Sequence, residues 1–291
     1  MIQINGKTKT CGLIGCPVEH TLSPLIHNTL SEHMGQNMVY VPFHVERENV
    51  EAAVKGAHAL SIGGLNVTVP HKSAVIPYLK EIDSLAEKIG AVNTLVPVES
   101  GYKGYNTDMT GLQRAMESEG IVISGKETIL LGAGGASRAV AFMLAAKGAK
   151  KVYMLNRSPD KAQMVADEVN KAMGCEKVTA MPIDGYKKLA GKKYLCIQGT
   201  SVGLYPDCGK AVIEDEAFYN LVEVAVDLIY KPAKTKFMSL CEAAGAKAYN
   251  GLKMLLYQGI IAYELWNDVQ ISDELAGNIY EMMKEETKIE E

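Results

Sequence analysis

No apolar run in this 291-residue chain approaches the length needed to cross a bilayer. Residues Met1–Gly6 lack a charged region followed by an apolar core, so no secretory leader is expected. The six cysteines, at positions 11, 16, 175, 196, 208 and 241, contain no Cys-x-x-Cys pair. Several lie in apolar runs such as Tyr194-Leu195-Cys196-Ile197, so reduced thiols in a cytoplasmic protein are expected. Cys11, Cys16 and His20 match the spacing of no common zinc module and have no fourth ligand near them in sequence; no metal site is expected. A net charge of −4 gives no reason to expect nucleic acid or an anionic membrane as partner. There is no internal repeat and no low-complexity linker. The remaining composition, 47% hydrophobic and 22% charged, is normal for a soluble globular enzyme, and the length fits two ordinary domains or one large one.

Thr128-Ile129-Leu130-Leu131 is a short apolar run of strand type. Gly132-Ala133-Gly134-Gly135-Ala136-Ser137 follows at once, and Arg138 to Ala146 then reads as a buried helix closed by Gly148. Strand, glycine turn and helix in that order let backbone amides approach a pyrophosphate at a helix N-terminus. A second strand, Val152-Tyr153-Met154-Leu155, stands at the right distance for a dinucleotide fold. The candidate cofactor residues of this loop are Gly132, Gly134, Gly135, Ala136 and Ser137. After the second strand an NAD-binding fold usually carries an acid for the ribose 2′-hydroxyl. Asn156-Arg157-Ser158 stands there instead, which suits the 2′-phosphate of NADP, with Lys161 as a further cation.

Leu65 to Lys72 and Asn106-Thr107-Asp108 hold the candidate chemistry. Asn66 and Thr68 alternate with Val67 and Val69, so a strand here points both polar residues to one face. Pro70 ends it and sets Lys72 at its mouth. Lys72 and Asp108 are a proton-transfer pair if neighbours or burial tune the lysine. A solvated surface lysine is the plain alternative.

Elsewhere strand and helix signals alternate. Strands are expected at Thr10–Gly15 and Met38–Val41, in a hairpin formed by Thr94–Val98 and Gly101–Tyr105, and near 193–198, 222–228 and 246–249. Ser23-Pro24 reads as an N-cap and first helical turn, Arg47 to His58 and Lys72 to Leu79 as helices, and the stretch from Lys253 as helical with a tail from Lys284 that frays. The expected architecture is α/β: two α/β domains flanking a cleft, with residues 1–110 a substrate domain and 111–250 a Rossmann-type NADP-binding domain. Residues 251–291 are expected to pack back on the substrate domain.

In order along the chain stand Gly15-Cys16-Pro17-Val18-Glu19-His20-Thr21-Leu22-Ser23-Pro24-Leu25-Ile26-His27-Asn28, Asn66 to Lys72, Gly90-Ala91-Val92-Asn93-Thr94 and Gly104 to Gly111. The glycine loop, Asn156-Arg157-Ser158, Asp227 to Pro232 and Asn250 to Gln258 follow. Nearly the whole chain resembles the shikimate dehydrogenases and their quinate/shikimate relatives. The resemblance implies interconversion of 3-dehydroshikimate and shikimate with NADP, in the shikimate pathway of aromatic amino acid biosynthesis. It implies Lys72 and Asp108 as the catalytic pair. Thr21 and Ser23 would hold the substrate carboxylate, and Asn66, Thr68, Asn93, Tyr230 and Gln258 would line the pocket. Gly251 joins the cofactor residues. The protein is expected to work as a monomer or homodimer.

Each of these polar residues also has a structural reading: a helix cap for Ser23, a turn for Asn93, a loop anchor for Tyr230, a buried backbone partner for Gln258. Two departures from the family stand out. Thr21 replaces its usual serine, which narrows the carboxylate end of the pocket. Gln198-Gly199-Thr200-Ser201 replaces its common Asn-Ala-Thr-Ser. The alternatives are a quinate/shikimate dehydrogenase with broader substrate or NAD use, and a catalytically idle NADP-binding sensor.

Overall fold

A computed structural model of the protein describes residues 4–189 and 193–289. It divides into two units: the chain up to Gly111 together with Leu255–Glu286, and Leu112–Met254.

The first unit opens with β1 (Lys9–Gly15), α1 (Ser23–His33), β2 (Met38–His44), α2 (Val50–Ala59) and β3 (Leu65–Val67). It continues through β4 (Glu81–Ile82), α3 (Ser84–Ile89), β5 (Thr94–Val98) and β6 (Gly101–Tyr105). The strands form one mixed sheet in the order β2-β1-β3-β5-β6-β4. β1 pairs in parallel with β2 and β3, whereas β5 runs antiparallel to β3 and β6. Ile14, Val54, Leu65, Val67, Leu95 and Tyr102 pack together as part of its core. The run of buried residues in β1 reflects a central strand with both faces covered. α4 (Thr107–Ser118) then carries the chain from the first unit into the second.

Three local expectations are corrected. Leu22, not Ser23, is the N-cap residue of α1, and no side chain caps it; Ser23 is the first helical residue. β3 ends at Val67, so Thr68 lies beyond the strand. Residues 72–79 form turns and a short 3-10 helix, Ile76–Tyr78, in place of an α-helix. Pro77 sits in the first turn of that segment, lacks an N–H, and cannot extend a helix that began before it.

The second unit comprises β7 (Glu127–Leu131), α5 (Gly135–Ala146), β8 (Lys151–Asn156), α6 (Pro159–Met173) and β9 (Val178–Pro182). β10 (Tyr194–Gln198), α7 (Glu216–Tyr219), β11 (Val222–Asp227), α8 (Lys236–Ala243) and β12 (Lys247–Tyr249) complete it. All six strands are parallel, in the order β12-β11-β10-β7-β8-β9. That is the doubly wound Rossmann order, with β7 as first strand. The expected α/β class and its Rossmann-type sheet are borne out. β9, an edge strand, was not foreseen.

α9 (Leu252–Asn267) and α10 (Asp273–Ile289) end the described chain. Most of α9 belongs to the first unit. Trp266 donates its indole N–H to Leu95 O at 3.0 Å, and Lys9 Nζ donates to Asn267 Oδ1 at 3.1 Å. Gly64 is required here, because a Cβ would lie 2.4 Å from the Trp266 indole. Lys284 to Ile289, expected to fray, is helical, and residues 290–291 lie outside the described residues. Among the described residues no helix is long and apolar enough to cross a membrane.

Candidate active site

The turn after β3 is pinned from below. Thr68 N–H donates to Ile14 O at 2.9 Å, and His71 N–H to Thr68 O at 2.9 Å. The ring of His71 is fully buried and donates from Nε2 to Val45 O at 2.6 Å. Lys72 O accepts from Val92 N–H at 2.7 Å. With its backbone so held, Lys72 donates from Nζ to Asp108 Oδ2 at 2.6 Å. The side chains keep 33% and 18% of their exposure, so the pair is partly desolvated yet reachable.

Asp108 is the second residue of α4, whose start is fixed by two asparagines. Asn106 Oδ1 accepts from Met109 N–H at 3.2 Å and caps the helix. Asn93 Oδ1 accepts from Thr107 N–H at 2.7 Å and from Thr107 Oγ1 at 3.1 Å. Asn93 therefore positions the helical turn that carries Asp108.

Asn66 is buried and its amide is fully used. Oδ1 accepts from Tyr40 Oη at 2.8 Å and His27 Nε2 at 3.1 Å. Nδ2 donates to Asn93 O at 3.2 Å and Thr94 Oγ1 at 3.0 Å. His27 is fully buried, stacked on Tyr40 with centroids 4.1 Å apart, and lies 5.0 Å from the Trp266 ring. Burial pushes its pKa down to about 3, against the pull of the Asn66 hydrogen bond, so the ring is neutral. Burial likewise holds the Tyr40 phenol well above its ordinary value.

Thr21 and Ser23 form a hydroxyl pair. Thr21 Oγ1 donates to Ser23 Oγ at 3.1 Å and accepts from Ser23 N–H at 3.2 Å. Thr68 packs its methyl against Gly15, where a Cβ would lie 2.3 Å away. Gln258, on α9, donates from Nε2 to Leu255 O at 2.9 Å, the backbone partner that a buried glutamine needs. Tyr230 is half-buried in the second unit, just after β11.

In the second unit the glycine loop has the features a pyrophosphate requires. Gly132 has φ +104°, and a Cβ there would meet Ser137 Oγ at 2.7 Å. At Gly134 and Gly135 a Cβ would meet open space, so the loop surface is clear. Arg138 N–H already donates to Gly134 O at 2.8 Å, leaving the amides of Gly135, Ala136 and Ser137 as the N-terminal donors of α5. The Ser137 hydroxyl is buried and bonded to Gly199 O at 3.0 Å, so its backbone rather than its side chain faces the loop opening. Asn156 ends β8 and donates from Nδ2 to Ser158 O at 2.9 Å. Arg157, Ser158 and Lys161 are exposed beside it. Among the described residues the Arg157 guanidinium has no carboxylate partner, unlike Arg138, which is paired with Glu168. Gly251 sits where a Cβ would meet Leu228 O at 2.2 Å, a close approach of two backbones.

Residues 13–95 match the shikimate dehydrogenase substrate binding domain, and residues 114–202 match shikimate / quinate 5-dehydrogenase. A shikimate dehydrogenase (NADP(+)) from Desulforamulus reducens is 42% identical over 271 residues, covering 91% of each chain. The chain belongs to the shikimate dehydrogenase family. A crystal structure of a shikimate dehydrogenase in complex with NADP+ superposes with a TM-score of 0.85 at 38% identity and covers 96% of both chains. A Listeria monocytogenes shikimate 5-dehydrogenase, in complex with shikimate and NAD, gives a TM-score of 0.88 at 31% identity, covering 97% of this chain and 98% of that one.

The family's departure at Gln198 has a structural answer in this chain. Gln198 is fully buried and donates from Nε2 to Val202 O at 3.1 Å and Asp227 Oδ1 at 3.3 Å, while its Oε1 accepts from Thr200 N–H. Asp227 Oδ2 accepts from Thr235 Oγ1 at 2.7 Å, and Thr235 caps α8. Burial pushes Asp227 up to about 6 despite these hydrogen bonds. Sequence reasoning missed His71, Tyr40 and Thr107 as supports of the site, since none carries a chemical signature apart from its neighbours.

Proposed function

We propose that the chain is an NADP-dependent shikimate dehydrogenase that interconverts 3-dehydroshikimate and shikimate, working in the cytoplasm as a monomer or homodimer. The six free cysteines support a reducing compartment. The observation that carries the reading is the Lys72–Asp108 contact at 2.6 Å, on two separately anchored turns. In the reducing direction Lys72 gives a proton to the carbonyl oxygen as it becomes a hydroxyl, and takes it back in the other. Asp108 holds the lysine's Nζ in place and balances its charge. The paired hydroxyls of Thr21 and Ser23 bind the substrate carboxylate. Asn66, Thr68, Asn93, Tyr230 and Gln258 serve the substrate's hydroxyls or the frame around them.

The open glycines and the N-terminal amides of α5 fit a pyrophosphate, and Arg157, with no carboxylate partner among the described residues, fits a 2′-phosphate. Gly132, Gly134, Gly135, Ala136 and Ser137 would hold the former. Asn156, Arg157, Ser158 and Lys161 would hold the latter, with Gly251 keeping the backbone close. NADPH, when bound, supplies the hydride.

Lys72→Ala should lower kcat by about a hundredfold or more while NADP binding stays intact. A folded variant turning over at near the wild-type rate would refute the reading. The Listeria relative's structure with NAD, and Thr21 in place of serine, favour a second reading with broader use of quinate or NAD. Steady-state kinetics with shikimate or quinate and NADP or NAD separates the two. No change in nicotinamide absorbance with any combination would leave an idle NADP-binding protein.

A further inference from the structure

β1 and β2 are parallel neighbours with Gly15 opposite His44, so the residues just past their ends share one corner of the sheet. Cys16 follows β1, His44 closes β2, and Glu46 lies two residues on. Cys16 Sγ is 3.4 Å from His44 Nε2 and 3.6 Å from Glu46 Oε2, and His44 Nε2 is 3.0 Å from Glu46 Oε1. One thiol, one imidazole and one carboxylate thus converge, with all ligand atoms within 4.8 Å of one another.

The spacing is close to that of a coordination shell. Zinc bonds of about 2.3 Å to sulfur and about 2.0–2.2 Å to nitrogen and oxygen give tetrahedral edges of roughly 3.3–3.6 Å. The observed separations need only a few tenths of an ångström of adjustment. The backbone on both sides is already fixed: Cys16 N–H donates to Val69 O at 3.1 Å, and Val45 N–H to Gly15 O at 3.0 Å. The far side of the imidazole is also occupied. His44 Nδ1 lies 3.7 Å from Glu19 Oε1, so its Nδ1 proton faces a carboxylate, while Nε2 donates to Glu46 Oε1 at 3.0 Å and must give up that proton to take an ion. A carboxylate behind a ligating histidine is the usual way its tautomer is set. The side chains of His44 and Glu46 are about half exposed, so an ion reaches them from solvent.

We propose that Cys16, His44 and Glu46 bind one divalent cation of the zinc class, with Glu19 as the positioning residue for His44. The mix of thiolate, imidazole and carboxylate selects zinc or cobalt over magnesium or calcium. Three protein ligands leave the fourth position to water or an external ligand. The site shares no residue with the Lys72–Asp108 pair and does not rest on the dehydrogenase reading.

The test uses tag-free, full-length, reduced protein titrated with Co²⁺ and then Zn²⁺. One equivalent of cobalt should produce a thiolate-to-metal charge-transfer band in the near ultraviolet, and zinc should abolish it. Cys16→Ser should remove the band and weaken zinc binding by calorimetry at least tenfold, whereas Cys208→Ser should change neither. Glu19→Gln should keep the band and weaken binding about tenfold to a hundredfold. Circular dichroism checks that each variant is folded. Absence of the band at one equivalent, or a band that survives Cys16→Ser, overturns the site. Unchanged affinity in Glu19→Gln overturns the role of Glu19.

Discussion

Acidification from pH 7 to pH 5 should weaken the first unit through His27. The ring is fully buried between Tyr40 and Trp266, and its pKa falls from the ordinary 6.5 to about 3. Protons therefore bind the unfolded chain in preference. The stability that neutral His27 contributes is complete above pH 6.5 and is lost as the pH falls toward 3. Between pH 7 and pH 5 the loss is about 2 kcal/mol. His27→Phe keeps a stacked ring and removes the titration. Asn66 Oδ1 retains the Tyr40 hydroxyl, and a buried Nδ1 without a partner disappears, so the variant should be near wild-type stability at pH 7. The assay is urea unfolding followed by the fluorescence of Trp266, the sole tryptophan, whose ring lies in the same cluster. Its midpoint should drop by about 1 M more in wild type than in His27→Phe between the two pH values. Equal drops in the two proteins would show that His27 carries no depressed pKa and would refute the argument.

Gly111→Ala should destabilise the protein by about 1–3 kcal/mol, because its Cβ would lie 2.6 Å from Gln258 N and 2.9 Å from Gln258 Cα, backbone atoms that cannot rotate away. Thermal unfolding at the wild-type temperature would refute that close approach of α4 and α9. Arg157→Ala should lower the NADP-to-NAD efficiency ratio about tenfold to a hundredfold, less so at high salt; an unchanged ratio would move the phosphate contact to Ser158 or Lys161. Asp227 has the opposite sign to His27. Its folded pKa is raised from 3.8 to about 6, so its favourable contribution is complete below 3.8 and is lost as the pH rises through 6. Asp227→Asn should remove about 2 kcal/mol of that pH dependence, read as hydrogen exchange in β11 and α8 between pH 4 and 7. The same pH profile in both proteins would place the carboxyl at its ordinary pKa.

The features legible in the sequence were those written in consecutive residues. Gly132 with its positive φ, the apolar run of β7 and the helix after it need only local pattern to be read. Lys72 and Asp108 were recognisable as a pair through the order of their motifs, and the fold brings them to 2.6 Å. What sequence pattern could not show were contacts between side chains far apart in the chain. Asn93 reads as a turn residue, yet it receives the first amide of α4. His71 carries no periodic signal, yet it fastens the lysine turn to Val45. β9 hides because an edge strand, half-buried and ending in proline, lacks the continuous apolar run of its central neighbours. Cys16, His44 and Glu46 meet only because β1 and β2 run in register.

The first unit is assembled from two separated stretches of chain, and Trp266 seals its core against Leu95 and His27. During synthesis this places the earliest-made sheet in an unfinished state while the second unit, continuous from Leu112 to Met254, is translated. The usual order of domain folding, from the N-terminus onward, should therefore be reversed. The nucleotide-type unit can close first. The segment that bears Lys72 and Asp108 should then wait for α9, exposing until that point the apolar surface that Trp266 covers in the folded unit, a natural point of entry for chaperones and proteases.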